Sequence, residues 1–528
     1  MRIERVFLAV FATCIALAAS GRAAPADWQP APMRSTATTL ERVLARNANA
    51  TGVARSGFAE RREQYLYRNG THELTVDVAV KGEDYRSSIR LGGGIYTAGR
   101  LRGTPWRANA NGIAHATLSD LQGDALDRLP RSLFPFAPGD CTLLGETTRG
   151  APAWVVLDRP AHDKPHWFFV DEASGLIVRE VTREGRRAID TTFEDFEAID
   201  GTRRPRRWHV ADGDRGNDLD VRVQTITEEP VDEGSVAPPA HRRAFAPLGP
   251  AAGAVALPVH FDGPTIVVDV ELDGRRRAFI LDTGTPGIVV DRDLAARLGE
   301  APLLEHASVA KMIVGGVGLT DVSVLAIPLR LGRIEPIDGI LGYDFFVGNV
   351  VHVDYPHRRV EIFTHAAGDV AFEDPRMVVL PADVTEGVPL VRAGFGAATG
   401  DRFALDTGSP QLHVFDPFVQ RYRREIATHW PPAVFSGGRA VIQADYLEGS
   451  VEVAAHRVAS FALGPVRFTD ATVGVEQPKQ AADAIAIPLD GIVGTDELSR
   501  LDLWFDYDDD RIGIERPRAK SGNYEGTE

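Results

Sequence analysis

The sequence predicts a mainly β protein: a curved antiparallel-sheet domain carrying one helix, followed by two small β lobes related by duplication. Three observations predict it. Short runs alternating apolar and polar residues fill most of residues 60–228, with Ser174-Gly175, Glu184-Gly185 and Asp200-Gly201 as turn signals between them. Four segments recur in the same order between residues 278 and 514. Between the two regions, residues 228–253 are rich in proline and glycine, which sustain neither a helix interior nor a central strand.

The bulk properties narrow the function. A chain of 528 residues is too long for one hydrophobic core. A net charge of -16 argues against a nucleic-acid partner, because phosphate binding needs a basic surface. Arg2 and Arg5 precede an apolar run over 6–19, and small residues follow to Ala24. This pattern reads as an export signal over 1–24, too short to span a bilayer. The expected location is periplasmic or secreted, with no membrane span after signal removal. Cys14 leaves with the signal, so Cys141 has no disulfide partner. Cys141 therefore reads as a small packed residue.

The expected domains are 36–227, a linker over 228–254, lobes over 255–366 and 376–516, and a polar tail over 517–528. Leu40, Val43, Leu44 and Asn47 keep a helical spacing, and Gly52 is a natural stop. Leu74, Val76, Val78 and Val80 alternate as in a half-buried strand. WVVLD, HWFFVD, GLIVREV, RAIDTTFEDF and LDVRVQTI continue the series. The pieces at 40–52 and 167–208, with the closing Asp200-Gly201 and Pro205, resemble the periplasmic lipoprotein-carrier superfamily. That resemblance implies an open half-barrel around an apolar cavity, and hence an acyl chain or apolar peptide as ligand. It carries no catalytic residue.

The repeat lies in the C-terminal half. AFILDTGTPGIVVD (278–291) matches RFALDTGSPQLHVFD (402–416), and VGGVGLTDVSVLAIP (314–328) matches LGPVRFTDATVGVEQP (463–478). DGILGYDFF (338–346) matches DGIVGTDEL (490–498), and VDYPHRRVEI (353–362) matches FDYDDDRIGI (505–514). Asp282 precedes Gly342 by 60 positions, whereas Asp406 precedes Gly494 by 88. The second copy therefore carries an insertion. Asp273-Gly274 marks a hairpin turn, and 291–298 reads as a helix opened by an aspartate and closed by Gly299.

A lone Asp-Thr-Gly says little. Here it occurs twice, at the same point of a repeat, each time after an apolar strand end and before a hydroxyl residue and a proline. Ile340-Leu341-Gly342 and Ile492-Val493-Gly494 follow downstream. This pattern resembles the aspartic peptidases, in particular the bacterial retropepsin-like proteins. The resemblance implies a bilobal fold in which each lobe supplies one Asp-Thr-Gly loop. Asp282 and Asp406 would then form one catalytic pair, with Thr283 and Thr407 bonded across the lobe interface. Two carboxyls in contact cannot both ionise, so one keeps a proton while the other acts as a base. The pair titrates as a unit. Gly284 and Gly408 leave room beside the carboxylates, and Thr285 and Ser409 can donate to their outer oxygens.

The resemblance also implies a glycine-tipped flap. KMIVGGVG (311–318) has that look, but it aligns with FALGPVRF (461–468), so both read as a later hairpin in each copy. The inserted stretch 437–458 is the better flap candidate, with Tyr446 and Gly449 over the pair. The first copy has only about a dozen residues, 299–311, for the same job. Other candidates read as structural. His162 and His166 flank Pro165 without an HExxH pattern. Asp212, Asp214, Asn217 and Asp218 have the wrong spacing for a calcium loop. Asp338 and Asp490 read as Asp-Gly turns. No metal and no cofactor is expected. The expected activity is endopeptidase action on a peptide or protein. The alternatives are a non-catalytic peptide- or lipid-binding protein, or cleavage confined to the chain's own linker.

Overall fold

The computed structural model describes residues 30–515 apart from 53–59, 116–140, 159–164, 240–242, 249–252, 299–305, 330–335, 476–488 and shorter gaps of one to four residues; over 434–452 it describes the backbone alone. The signal segment, Cys14, His162, Asp212, Asp214, Asn217 and the tail lie outside the described residues. The molecule is mainly β.

Fourteen antiparallel strands form the N-terminal sheet. Most neighbours in the sheet are also neighbours in sequence. Two long-range joins complete it, Met33–Arg34 beside Cys141–Thr147 and Leu219–Glu228 beside Arg61–Asn69. Register shifts near Leu143, Phe169 and Val223 interrupt the ladders, and such bulges bend a sheet. The helix Leu40–Thr51 packs on one face. Thr39 caps its start and Gly52, at φ 76°, ends it. Val43 joins Tyr65, Val76, Phe168 and Trp208 in one buried cluster. His166 is buried and bonds Glu180 Oε1 at 2.6 Å. Cys141 lies half-buried beside Asp158.

Much of the stretch 228–254 is seated rather than free. The short helix Glu233–Val236 buries Val236 against Val231 and Ala79. Phe245 is buried and meets Phe345 edge-on at 5.1 Å. Ala246–Pro247 and Ala254–Ala256 are strands at sheet edges, where a proline costs no ladder bond.

The two copies of the repeat build matching sheets. In the first, Arg275–Leu281 runs parallel to Gly339–Leu341, which runs antiparallel to Ile288–Asp291, which runs parallel to Val317–Ile327. In the second, Ala398–Leu405, Gly491–Val493, Leu412–Val414 and Val466–Val475 repeat that order and those directions. Asp273 and Gly274 turn the first hairpin with φ of 48° and 68°. The helix Arg292–Leu298 follows Asp291, whose Oδ1 accepts from Asp293 N and Leu294 N.

A third, six-stranded sheet joins the copies. At its centre Asn349–Asp354 pairs antiparallel with Asp502–Asp506. His352 and Trp504 occupy equivalent repeat positions, face each other in the ladder, and stack at 4.0 Å. A pseudo-twofold axis therefore passes through this pair.

KMIVGGVG forms the turn of the hairpin His306–Val314 and Val317–Ile327. Its counterpart is the hairpin Gly449–Leu463 and Val466–Val475. The inserted residues of the second copy form a further backbone hairpin, Val441–Tyr446 against the start of Gly449–Leu463, with Tyr446 opposite Gly449. The first copy's 299–305 lie outside the described residues.

Phe505 is fully buried in the shared sheet and packs edge-on against Phe346 at 5.6 Å. Phe505→Ala is expected to cost about 3–5 kcal/mol, read by urea denaturation. A loss under about 1 kcal/mol would show that this sheet does not hold the copies together.

Candidate active site

Each Asp-Thr-Gly loop leaves a strand end and is held from below by the apolar-apolar-glycine segment. Asp282 N donates to Leu341 O and Asp406 N to Val493 O, both at 3.0 Å. Tyr343 N donates to Thr285 O at 2.9 Å, and Thr495 N to Ser409 O at 2.8 Å. A side chain at Gly342 would stand 2.1 Å from Thr285 O, so only glycine lets the segment pass so close beneath the loop.

The loops are tied to each other reciprocally. Thr283 N donates to Thr407 Oγ1 at 3.1 Å, and Thr407 N to Thr283 Oγ1 at 3.1 Å. Thr283 Oγ1 donates to Leu405 O at 2.6 Å, and Thr407 Oγ1 to Leu281 O at 2.8 Å. Both threonines are fully buried. Four bonds thus cross the interface with every donor and acceptor satisfied.

That tie brings the two carboxyls into contact. A Cβ on Gly284 would lie 2.5 Å from Asp406 Cγ, and one on Gly408 would lie 2.3 Å from Asp282 Cγ. Each glycine therefore stacks on the opposite copy's carboxyl, which sets the two carboxyls side by side. Asp282 accepts from Gly284 N at 2.7 Å and from Thr285 Oγ1 at 2.7 Å. Asp406 accepts from Gly408 N at 2.8 Å and from Ser409 N at 2.9 Å. Thr285 donates through its hydroxyl, as expected, whereas the Ser409 bond is made by its backbone N–H.

Burial pushes the Asp406 carboxyl well above the usual carboxylate range. The charge of Asp282 and the bond between the two carboxyls add to the rise, and the Gly408 and Ser409 N–H groups partly oppose it. Asp406 is therefore held toward its protonated form.

Asp282, Thr283, Gly284, Thr285, Asp406, Thr407, Gly408 and Ser409 thus converge at one point. Tyr446 and Gly449 pair in a backbone hairpin, and the Tyr446 side chain lies outside the described residues. Asp338 and Asp490 serve their own strands: they accept from Ala278 N and Arg402 N, and Asp490 also pairs with Arg421.

Two residues are new to the site. Tyr355 and Tyr507 are repeat equivalents, both buried, with hydroxyls that have no hydrogen-bond partner among the described residues. Burial raises both phenols, and the charges of Asp282 and Asp406 raise them further. They stand within electrostatic reach of the pair and stay neutral. The signal was the Asp-Tyr shared by VDYPHRRVEI and FDYDDDRIGI.

Among the described residues, His352, Asp354 and Asp502 form one group with metal-ligand spacing, and His365, Asp506 and Asp509 another. Neither includes Asp282 or Asp406. His352 bonds Asp502 at 2.6 Å, Asp354 bonds His357, and Asp506 bonds Arg511. Each group is hydrogen-bonded within the strands and turns of the shared sheet. A recess of about 490 Å³ opens on the N-terminal sheet, lined by Arg62, Gln64, Asp77, Arg86, Ser88 and Thr225 among others. It is polar.

No protein-family profile matches the sequence, and no curated protein matches it. Similar solved structures include a LolA superfamily protein from Nitrosomonas europaea, at 11% identity and TM-score 0.29, covering 38% of this chain and 98% of that one. Basic 7S globulin from soybean matches at 12% and 0.33, covering 50% and 95%. A putative outer membrane lipoprotein-sorting protein domain from Vibrio parahaemolyticus matches at 12% and 0.25, covering 38% and 97%. At such scores the likeness carries no inference about this chain.

Thr283→Val and Thr407→Val each leave a buried carbonyl and a buried N–H without partners, which costs roughly 1–3 kcal/mol. The double variant is expected to lose less than the sum, because each substitution breaks two of the four bonds of one cooperative tie and loosens the other two. Denaturant titration of the three variants checks this, and strict additivity would contradict a shared link.

Proposed function

We propose that the protein is an aspartic endopeptidase that hydrolyses peptide bonds with a water held between Asp282 and Asp406. The observation that carries the reading is the pair of carboxyls in mutual contact, clamped by the reciprocal threonine bonds. The ionised carboxylate takes a proton from the water as its oxygen attacks the peptide carbonyl. The protonated partner gives its proton to the carbonyl oxygen, and a tetrahedral diol forms. A proton then passes to the amide nitrogen, the C–N bond breaks, and the pair returns to one proton. The substrate is a peptide or an unfolded protein segment. Cleavage of the chain's own linker would be a narrow form of the same chemistry.

Wild type, Asp282→Asn and Asp406→Asn, incubated with a denatured protein mixture across pH, test the reading by peptide mass spectrometry. Wild type alone should yield new peptides, with both variants slowed by roughly 10²–10⁴-fold. Identical peptide patterns from all three would end the proposal.

The direction of the Asp406 shift fixes two pH effects. Activity requires the shared proton, so its basic limb should fall above the ordinary carboxylate range. The folded protein also binds that proton more tightly than the unfolded chain, so the pair's contribution to stability is full at low pH and is lost as pH rises through the folded pKa. Asp406→Asn should therefore melt higher than wild type at neutral pH, with the gap closing as pH falls. A gap independent of pH would contradict the shifted carboxyl.

A second reading is a non-catalytic exported protein that binds lipid or an apolar peptide. It draws on the N-terminal sheet, a long bent antiparallel sheet with one helix across its apolar face. Under that reading the wild type and both Asn variants would co-purify with the same lipid, with no cleavage by any of them.

A further inference from the structure

The N-terminal sheet meets the first copy through a buried polar contact. Asn111, fully buried, lies in the turn after the strand Thr104–Ala108. Its side-chain amide pairs with the backbone of Ser323: Ser323 N donates to Asn111 Oδ1 at 2.8 Å, and Asn111 Nδ2 donates to Ser323 O at 3.1 Å. Ser323 lies in Val317–Ile327, whose edge is covered at Val317 and Gly318 by Ala246–Pro247 and from Leu325 onward by Ile288–Asp291. Asn111 fills the interval between them, as a strand backbone would.

Three neighbours fix the contact. Tyr96 bonds Ser323 through its hydroxyl and packs its ring on the buried His306 at 4.4 Å. Arg243 N donates to Asn111 O at 3.0 Å, and its guanidinium reaches the carbonyls of Thr320 and Asp321. Burial holds His306 down at about 3, so Tyr96 rests on a neutral ring.

Asn111 Nδ2 also donates to Asp344 Oδ2 at 2.7 Å. Asp344 is buried in the short helix Tyr343–Phe346. Gly342 and Tyr343, immediately before it, donate to Gly287 O and Thr285 O, the backbone of the Asp282 loop. Asn111 therefore reaches the floor under Asp282 through one side chain and two residues of backbone. In the second copy the equivalent aspartate is Asp496. It is exposed, and the charge nearest it is that of Arg500.

We propose that Asn111 is a positioning residue: through Asp344 it holds the segment beneath Asp282, so that the N-terminal sheet is a working part of the first half of the site. This rests on the peptidase reading for its kinetic arm only. Small displacements of a catalytic group cost rate more than binding. The remote contact should therefore appear in kcat and leave KM alone.

Asn111→Ala and Tyr96→Phe, made in the full chain, test it by two readouts. The first is amide hydrogen exchange over 339–346, measured also in the Asp406→Asn background, where no activity is needed. Asn111→Ala should speed exchange there at least ~10-fold, with 491–498 in the second copy unchanged. Tyr96→Phe, which removes one hydroxyl and keeps the ring, should act in the same direction and more weakly. The second readout is peptide cleavage, where kcat should fall ~10-fold or more with KM within about twofold. Unchanged exchange over 339–346 in both variants would overturn the proposal. So would faster exchange with an unaltered kcat, or equal loosening of both copies. If the wild type cleaves nothing, the peptidase reading falls, and the exchange result alone decides the role of Asn111.

Discussion

The reciprocal bonding of Thr283 and Thr407 is the constraint on which the rest depends. Each threonine spends its hydroxyl and its N–H on the other copy. Neither loop can shift without leaving buried polar groups unpaired, and such groups are costly. The geometry of this tie decides how close two carboxylates come, and closeness decides their chemistry. Two aspartates in solution ionise independently. Here the Asp406 carboxyl is buried close to Asp282, and both burial and that neighbouring charge favour its protonated form.

The duplication supplies this tie economically. Each copy brings one aspartate, one threonine and one supporting glycine segment, and the shared six-stranded sheet sets the axis that relates them. The symmetry is incomplete where function would ask for difference. Thr285 reaches Asp282 with its hydroxyl, while Ser409 reaches Asp406 with its backbone N–H. Among the described residues, only the second copy carries the additional hairpin at Val441–Tyr446. Only the first copy, among the described residues, receives a buried side chain of the N-terminal sheet on the helix below its loop.

Much of this was legible in the sequence, for physical reasons. The turn at Asp273-Gly274 follows from two residues that accept positive φ. The limits of Leu40–Thr51 follow from its spacing and from Gly52. The repeat told which segments share a fold position, and so assigned KMIVGGVG to a late hairpin against its resemblance to a flap. What was not legible depends on contacts between distant segments. Asn111 is one polar residue in a turn, and nothing local marks it as a strand substitute for Ser323. Tyr355 and Tyr507 went unremarked in the sequence because it shows neither their burial nor the charges they approach. The proline-rich 228–254 reads as a free linker, yet Phe245 buries itself because its partner Phe345 is a hundred residues on.

The central claim is that Asp282 and Asp406 titrate as one pair. Carboxyl carbon NMR of ¹³C-labelled aspartates, assigned with Asp282→Asn and Asp406→Asn, measures it directly. The account predicts that both signals respond to two common steps, one of them well above the usual carboxylate range. Two independent titrations, both complete within that range, would contradict it.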